Sequence, residues 1–438
     1  MSILTTAPRG TKDILPEETS RWQYLERTLL STAELFGFRE IRVPTFEHTE
    51  LFCRSVGETT DVVNKEMYTF TDKGDRSLTL RPEGTAGVAR AAIENGLLAD
   101  ALPLKVSYVM NCYRYEKPQK GRFREFRQFG VELYGATAPT ADAEMIALVK
   151  EAFDTLGVQG IHIEINSIGC PTCRAQYNQA LRDYFEGHRG DLCPTCLERL
   201  EKNPMRIIDC KSPQCAAIAK DAPRMLQYLC GDCQTHFDGV KALLDVSGIR
   251  YNVNPSIVRG LDYYTRTVFE FIHTAPGGET SVCGGGGRYG GLLAQLGGPD
   301  HEGIGFAMGM ERLLEVMKSQ DCDFPPPATC DVCLVTMGEA AQVKAFQLAN
   351  LLRADGFFAQ CDLMGRSLKA QMKYANKIGA KYTLVLGENE LANNTAQLKS
   401  MHSGTIREIP LDDRFSDAIY EEIMATAYAD LEDAAEHL

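Results

Sequence analysis

Tyr113-Arg-Tyr-Glu-Lys-Pro-Gln-Lys-Gly-Arg-Phe-Arg-Glu-Phe-Arg-Gln-Phe-Gly-Val-Glu-Leu-Tyr-Gly135 has the pattern of two strands joined by a basic turn. Its centre, Lys117 to Arg122, sets Pro118 and Gly121 among three cations, and its flanks alternate, as a β-hairpin does. Side chains of a strand point to either face in turn. Phe126, Gln128, Gly130, Glu132 and Tyr134 therefore share one face of the outgoing strand. An aromatic, an amide, a glycine, a carboxylate and a second aromatic make a poor packing surface but suit the floor of a polar ligand site. Glu132 by itself also reads as a solvated strand carboxylate, and the residues alone leave both readings open.

Three further segments carry the same mixture. In Arg259-Gly-Leu-Asp-Tyr-Tyr-Thr-Arg-Thr-Val-Phe-Glu-Phe271 a strand-like alternation follows an arginine, a carboxylate and two tyrosines. Strand geometry would send Tyr263 and Tyr264 to opposite faces. The plain alternative is an arginine ion pair with two half-buried tyrosines at a strand edge. Leu80-Arg-Pro-Glu-Gly-Thr85 is the second segment. The third, Gly303-Ile-Gly-Phe-Ala-Met-Gly-Met-Glu-Arg-Leu313, reads as a small-residue strand running into a helix. Its alternate glycines would let a flat ligand approach the backbone. The run Gly284 to Gly287 has no GxxxxGK[ST] context, so it is no P-loop, and it reads as a tight turn beside Arg288 and Tyr289.

At 438 residues with 44% hydrophobic content, the chain should form two or three well-packed domains. No apolar run reaches 18 residues, and MSILTTAPRG lacks the apolar core of an export signal. Both predict a cytoplasmic protein with reduced thiols and no membrane partner. A net charge of −13 opposes nucleic acid overall, so any RNA contact needs a local basic patch, for which Lys117 to Arg127 is the candidate.

Helices are predicted over 17–36 and 142–156. Residues 170–250 read as a cysteine-rich helical insertion interrupting a domain over 1–327, which closes at the linker Phe324-Pro-Pro-Pro327. A second domain over 328–438 alternates short apolar strands (331–336 and 382–386) with helices (340–356 and 367–378), the pattern of an α/β unit, and ends in an acidic helix or tail.

Eight of the fifteen cysteines fall in four pairs: Cys170 and Cys173, Cys193 and Cys196, Cys210 and Cys215, Cys230 and Cys233. The first two pairs have nearly the spacing of a zinc site built from four cysteines. Structural zinc and buried free thiols both fit the insertion, and sequence order does not settle which pairs combine. Cys330 and Cys333 read as strand residues of a core, facing opposite ways.

Together these segments resemble the class II aminoacyl-tRNA synthetases and, within them, the histidyl-tRNA synthetase family. Phe38-Arg-Glu-Ile-Arg-Val-Pro-Thr-Phe-Glu47, the hairpin and Gly303 to Leu313 are similar to the three class II motifs. Arg259 to Tyr264 and Cys283-Gly-Gly-Gly-Gly-Arg-Tyr-Gly290 resemble the histidine-specific segments. The resemblance implies an α+β class II catalytic core, an antiparallel sheet with flanking helices, carrying a helical insertion and a C-terminal α/β anticodon-binding domain. It implies histidine–tRNA ligase chemistry with ATP, Mg2+, L-histidine and tRNA(His), in a homodimer built on the first motif. It requires no metal in the insertion.

Carried over residue by residue, Arg114 and Arg259 would hold the α-phosphate as catalytic groups. Glu116, Arg122, Phe126 and Arg312, with Arg114, would bind ATP. Glu83, Gly84, Thr85, Gln128, Glu132, Tyr263, Tyr264 and Tyr289 would bind histidine, with Glu83, Thr85 and Gln128 on the ammonium and Glu132 and Tyr264 on the imidazole. Lys117 to Arg122 would meet the acceptor end of the tRNA. Two other functions are weighed: a catalytically inactive synthetase-like regulatory subunit of histidine biosynthesis, and a zinc-knuckle RNA-binding protein. The first need not keep the ATP arginines; the second does not explain the polar floor.

Overall fold

An eight-stranded sheet organises the larger, N-terminal part of the chain. The computed structural model describes residues 6–57, 60, 62–118, 121–258 and 263–436. They form two compact units, Met1–Pro325 and Pro326–Leu438. Across the large sheet run Arg39–Glu40, Leu104–Tyr113, Glu125–Tyr134, Gly303–Gly309, Thr280–Tyr289, Tyr264–Thr274, Ile161–Ser167 and Asn252–Val253. The six inner strands are antiparallel to one another, and the short strand at each edge is parallel to its neighbour. The expected antiparallel core is thus mixed at its rims.

Period-two alternation sorts the side chains of this sheet into two layers. Phe129, Val131 and Leu133 enter an apolar core with Phe269, Phe271, Ile304, Phe306 and Met308. Helices Pro16–Leu35, Pro139–Thr155, Gly231–Val246 and Met310–Ser319 contribute to that core. Each fully buried side chain of this kind stabilises by about 1.5–3 kcal/mol. The first helix runs one residue ahead of the expected 17–36: Pro16 opens it, Glu17 and Glu18 complement its dipole, and Trp22, Leu25, Leu29 and Ala33 are buried. The opposite face of the sheet carries Gln128, Glu132 and Tyr134, the face predicted to be polar.

The glycine run corrects one expectation. Gly284 to Gly287 is not a turn but part of the strand Thr280–Tyr289. A Cβ on Gly286 would lie 2.2 Å from the Gly305 carbonyl, and one on Gly284 would lie 2.5 Å from the Phe306 ring. These positions are glycine because adjacent strands and rings leave no room for a side chain.

Arg288 is the buried keystone of this sheet. Its guanidinium is shut off from solvent and pairs with Asp142 and with Glu302 at 3.0 Å, while donating to the carbonyls of Ala136 and Ala138. Burial alone would push Asp142 up, but His236 and Arg288 outweigh it and hold the carboxyl below its ordinary value. Arg288→Ala would strand Asp142 in the core. We expect a loss of about 3–5 kcal/mol in urea unfolding; a change under about 1 kcal/mol would refute this role.

Between Ile161–Ser167 and Asn252–Val253 the chain forms helices Pro171–Glu186, Pro194–Lys202, Pro213–Ala219 and Gly231–Val246. The last puts Phe237, Val240 and Leu244 into the main core, so the end of the predicted 170–250 insertion packs as part of the sheet's apolar layer.

The second unit has a five-stranded sheet in the order Ala359–Cys361, Val332–Thr336, Tyr382–Leu386, Thr395–Ser400 and Ile406–Pro410. The first three strands are parallel and the last two antiparallel. The sequence does not announce that final pair: Gln397, Lys399, Ile406, Arg407 and Glu408 are exposed, and only Ile409 of the last strand is fully buried. Cys330 precedes the strand, so alternation does not separate it from Cys333; both join one small core with Val335, Ala375 and Ala380.

Candidate active site

Glu132 lies at the centre of the polar face and is almost wholly buried. Its carboxylate accepts from the hydroxyls of Tyr289 at 2.6 Å, Thr85 at 2.7 Å and Tyr108 at 3.2 Å. Burial pushes it from the ordinary 4.5 up to about 8, against the pull of the Tyr289 and Thr85 hydrogen bonds. Gly305 on the adjacent strand leaves space for it, since a Cβ there would sit 1.9 Å from Oε2.

The floor belongs to a cavity of about 400 Å³, within the range of small-molecule sites. Glu83, Thr85, Arg114, Glu116, Arg122, Phe126, Gln128, Glu132, Tyr263, Tyr264, Tyr289 and Arg312 all line it. Gly84 lies just behind, donating its N–H to Gln128 Oε1 at 2.9 Å. That bond uses one lone pair of Oε1 and orients the NH2, so Gln128 offers a donor as well as the acceptor expected for an ammonium. Arg259, with Gly260, Leu261 and Asp262, lies outside the described residues, as do Gln119 and Lys120 of the basic loop.

Tyr263 and Tyr264 do not part to opposite faces. The strand begins at Tyr264, so Tyr263 is free of its alternation, and the two rings sit 4.7 Å apart against the same cavity. Glu83 supports the backbone. Its oxygens accept from the N–H groups of Thr85 at 2.7 Å and Ala86 at 2.9 Å, at the start of helix Thr85–Glu94. Burial still raises its pKa.

The other end of the cavity is cationic. Arg114 donates from Nε to the Pro82 carbonyl at 2.7 Å and lies 5.5 Å from the centre of the Phe126 ring. Arg122 pairs with Glu116 at 3.3 Å. Arg312 donates to the Val282 carbonyl. Burial, and then the charge of Arg122, hold Arg312 below its ordinary value. A cation held down by burial and by a neighbouring cation suits a polyanion.

Residues 10–173 and 213–313 match the family profile described as histidyl-tRNA synthetase, and residues 331–419 match the one described as anticodon binding domain. The chain belongs to the histidyl-tRNA synthetase family. The histidine–tRNA ligase of Acetivibrio thermocellus is 53% identical over 410 residues, spanning 94% of this chain and 98% of that relative. That of Clostridium novyi is 51% identical over 406 residues, 93% and 96% of the two chains. The crystal structure of apo S. aureus histidyl-tRNA synthetase superposes with a TM-score of 0.82 at 40% identity, covering 94% of this chain and 99% of that one. The fold is therefore the class II synthetase core of this family with a C-terminal anticodon-binding domain.

Against the residues that the family resemblance singled out, the structure adds Tyr108, Glu311 and Arg206. Tyr108 pairs across the sheet with Gly130, and a Cβ on Gly130 would fall 2.2 Å from its ring. The aromatic-opposite-glycine pairing is the signal, but reading it needs the register. Glu311 lines the cavity, and burial pushes it up to about 7; Oε1 accepts the Arg127 N–H at 2.8 Å, and Oε2 is buried without a hydrogen bond among the described residues. Arg206 reaches the same cavity from the insertion. Among the described residues no helix is long and apolar enough to cross a membrane.

Proposed function

We propose that this chain is a histidine–tRNA ligase, which activates L-histidine with ATP and transfers it to the 3′ end of tRNA(His). The observation that carries the reading is the buried Glu132 carboxylate, ringed by hydroxyls at one end of a cavity whose other end is cationic. A histidine lying between them would meet a hydrogen-bonding group for its imidazole and arginines for its carboxylate.

In the first step a carboxylate oxygen of histidine attacks the α-phosphorus. The bond from that phosphorus to the bridging oxygen breaks, and pyrophosphate leaves with the electron pair. This chemistry needs alignment and charge neutralisation more than a covalent nucleophile. Arg114 would hold the substrate carboxylate and the α-phosphate, and the family resemblance gives Arg259 a share in the α-phosphate. Arg122 and Arg312 would take the outer phosphates, while Glu116 and Phe126 frame the adenine. Glu132, Tyr264, Tyr263 and Tyr289 would select the imidazole. Thr85 serves this reading best through its bond to Glu132, and Gln128 through a donor to the substrate carboxylate.

The carboxylates fit a hard cation: Glu311 Oε2 is an oxygen donor with no hydrogen bond of its own among the described residues. When bound, Mg2+ would neutralise phosphate charge there. The tRNA would be met by the loop over 117–122 and by the second unit, with affinity falling steeply as salt rises. A homodimer through residues 38–47 is supported by the exposed Phe46 and its ring contact with exposed Phe70. A regulatory chain without catalysis would have no need of the converging arginines or of the second unit. The test is charging: purified protein with ATP, Mg2+ and labelled histidine should esterify a tRNA(His) transcript, and failure to form histidyl-tRNA would refute the reading.

A further inference from the structure

The four cysteine pairs of the insertion converge in a way their order does not reveal. Cys170 and Cys173 meet Cys230 and Cys233; Cys193 and Cys196 meet Cys210 and Cys215. The outer pairs thus close one group and the inner pairs another, nested within it. Within each group the four sulfurs lie within 4.8 Å of one another.

We propose that the insertion binds two Zn2+ ions, one in each group of four cysteines. A tetrahedral ion with Zn–S bonds of about 2.3 Å places its sulfurs about 3.8 Å apart. Cys193 and Cys210, from different pairs, have their sulfurs 3.9 Å apart, and those of Cys170 and Cys173 are 3.5 Å apart. A multi-iron cluster would need its thiolates spread around a core of metal and sulfide, which these groups are too tight to enclose. A thiol core is the other alternative, but buried cysteines of that kind pack against apolar side chains. Here the cysteines do sit in an apolar cluster, but within it the sulfurs of each group of four also face one another.

The backbone supports the same pairing independently. The N–H of Cys230 donates to Cys173 Sγ at 3.1 Å, and the N–H of Cys193 donates to Cys215 Sγ at 3.2 Å. Each bond runs from one pair to the other pair of its own group. Amide donors to the sulfur are the surroundings that orient and stabilise metal-bound thiolates. Three pairs also share a local geometry: Cys170, Cys193 and Cys230 precede helices of nine residues or more, and Cys173, Cys196 and Cys233 are the third residues of those helices. That spacing turns both sulfurs of a pair to one side.

Each site would take one Zn2+ and release a proton from every cysteine that entered as a thiol. Four Zn–S bonds form, two positive charges stand against four thiolates, and no oxidant or reductant is needed. The ions would brace helices as short as seven residues, which bury too little surface to hold their arrangement alone. The inner loop, from Cys196 to Cys210, also carries Arg206 to the cavity of the candidate active site.

The test is metal stoichiometry on the full chain. Protein purified without chelator should contain two zinc ions per chain by mass spectrometry of the elements. Stripped protein titrated with Co2+ should develop the intense thiolate-to-metal and d–d bands of an all-sulfur tetrahedral site, saturating at two equivalents. Cys173→Ser and Cys196→Ser should each lower the zinc content. One ion or none in the wild-type chain would overturn the proposal, as would iron in place of zinc or Co2+ spectra of an octahedral oxygen site. The wild-type readouts do not depend on the variants folding or on enzymatic activity.

Discussion

Replacing Glu132 by glutamine is expected to lower kcat/KM for histidine in ATP–pyrophosphate exchange by about 10⁴, the scale on which a site built for a hydrogen-bonding group fails when that match is lost. The substitution keeps the shape of the side chain. It removes the titratable proton and turns one acceptor into an NH2 facing hydroxyls that already point at it. In the free protein burial holds Glu132 up at about 8, so near neutrality the carboxyl is mostly protonated. An imidazole arriving beside it can take that proton and leave a carboxylate paired with an imidazolium, which glutamine cannot do. A second readout follows from linkage. The folded pKa lies above the unfolded one, so the stability that Glu132 contributes is full below about pH 4.5 and is lost as pH rises through about 8. Glu132→Gln should flatten the corresponding fall in unfolding free energy between about pH 5 and 8. A variant with wild-type exchange and an unchanged pH–stability profile would remove Glu132 from both roles.

The second large effect is expected at Arg114. Its Nε is anchored on the Pro82 carbonyl and its guanidinium lies by Phe126, so the group is held before any substrate arrives. Its neighbouring carboxylate, Glu116, is 3.8 Å from Nη1, too long for a strong bidentate pair. The Nη groups are therefore available to serve a phosphate or a substrate carboxylate. Arg114→Ala should reduce kcat for adenylate formation by about 10²–10³, the usual cost of deleting one preorganised donor. Unfolding stability should change little, because the side chain is partly exposed. A large fall in melting temperature with a matching loss of activity would indicate a structural arginine instead.

The polar floor is legible in sequence because period-two alternation is local, and Gln128, Gly130 and Glu132 are poor core residues wherever they fall together. Tyr108 is not legible: its role depends on Gly130 and Gly84, which vacate the space its ring fills, and that relation is set by strand register. Arg288 reads as a companion of Tyr289, yet its partner Asp142 stands 146 residues away, so the buried ion pair exists only in three dimensions. The run over 284–287 reads as a turn because glycine permits one; what demands glycine there is contact between adjacent strands. The cysteines show the same limit. Their spacing favours joining the first two pairs, whereas the helices bring first to fourth and second to third. The two final strands of the second unit escape a sequence reading because Arg407 falls on the same face as Leu398 and Ile409, and Ile406 on the opposite one, which breaks a short alternation.

The most direct test of the central claim is ATP–pyrophosphate exchange with the wild-type chain and each of the twenty amino acids in turn, without tRNA. The geometry of the site predicts exchange with L-histidine alone, because no other side chain offers the imidazole's two ring nitrogens to Glu132 and the tyrosines. Exchange supported equally by another amino acid, or by none while the protein is folded, would contradict it.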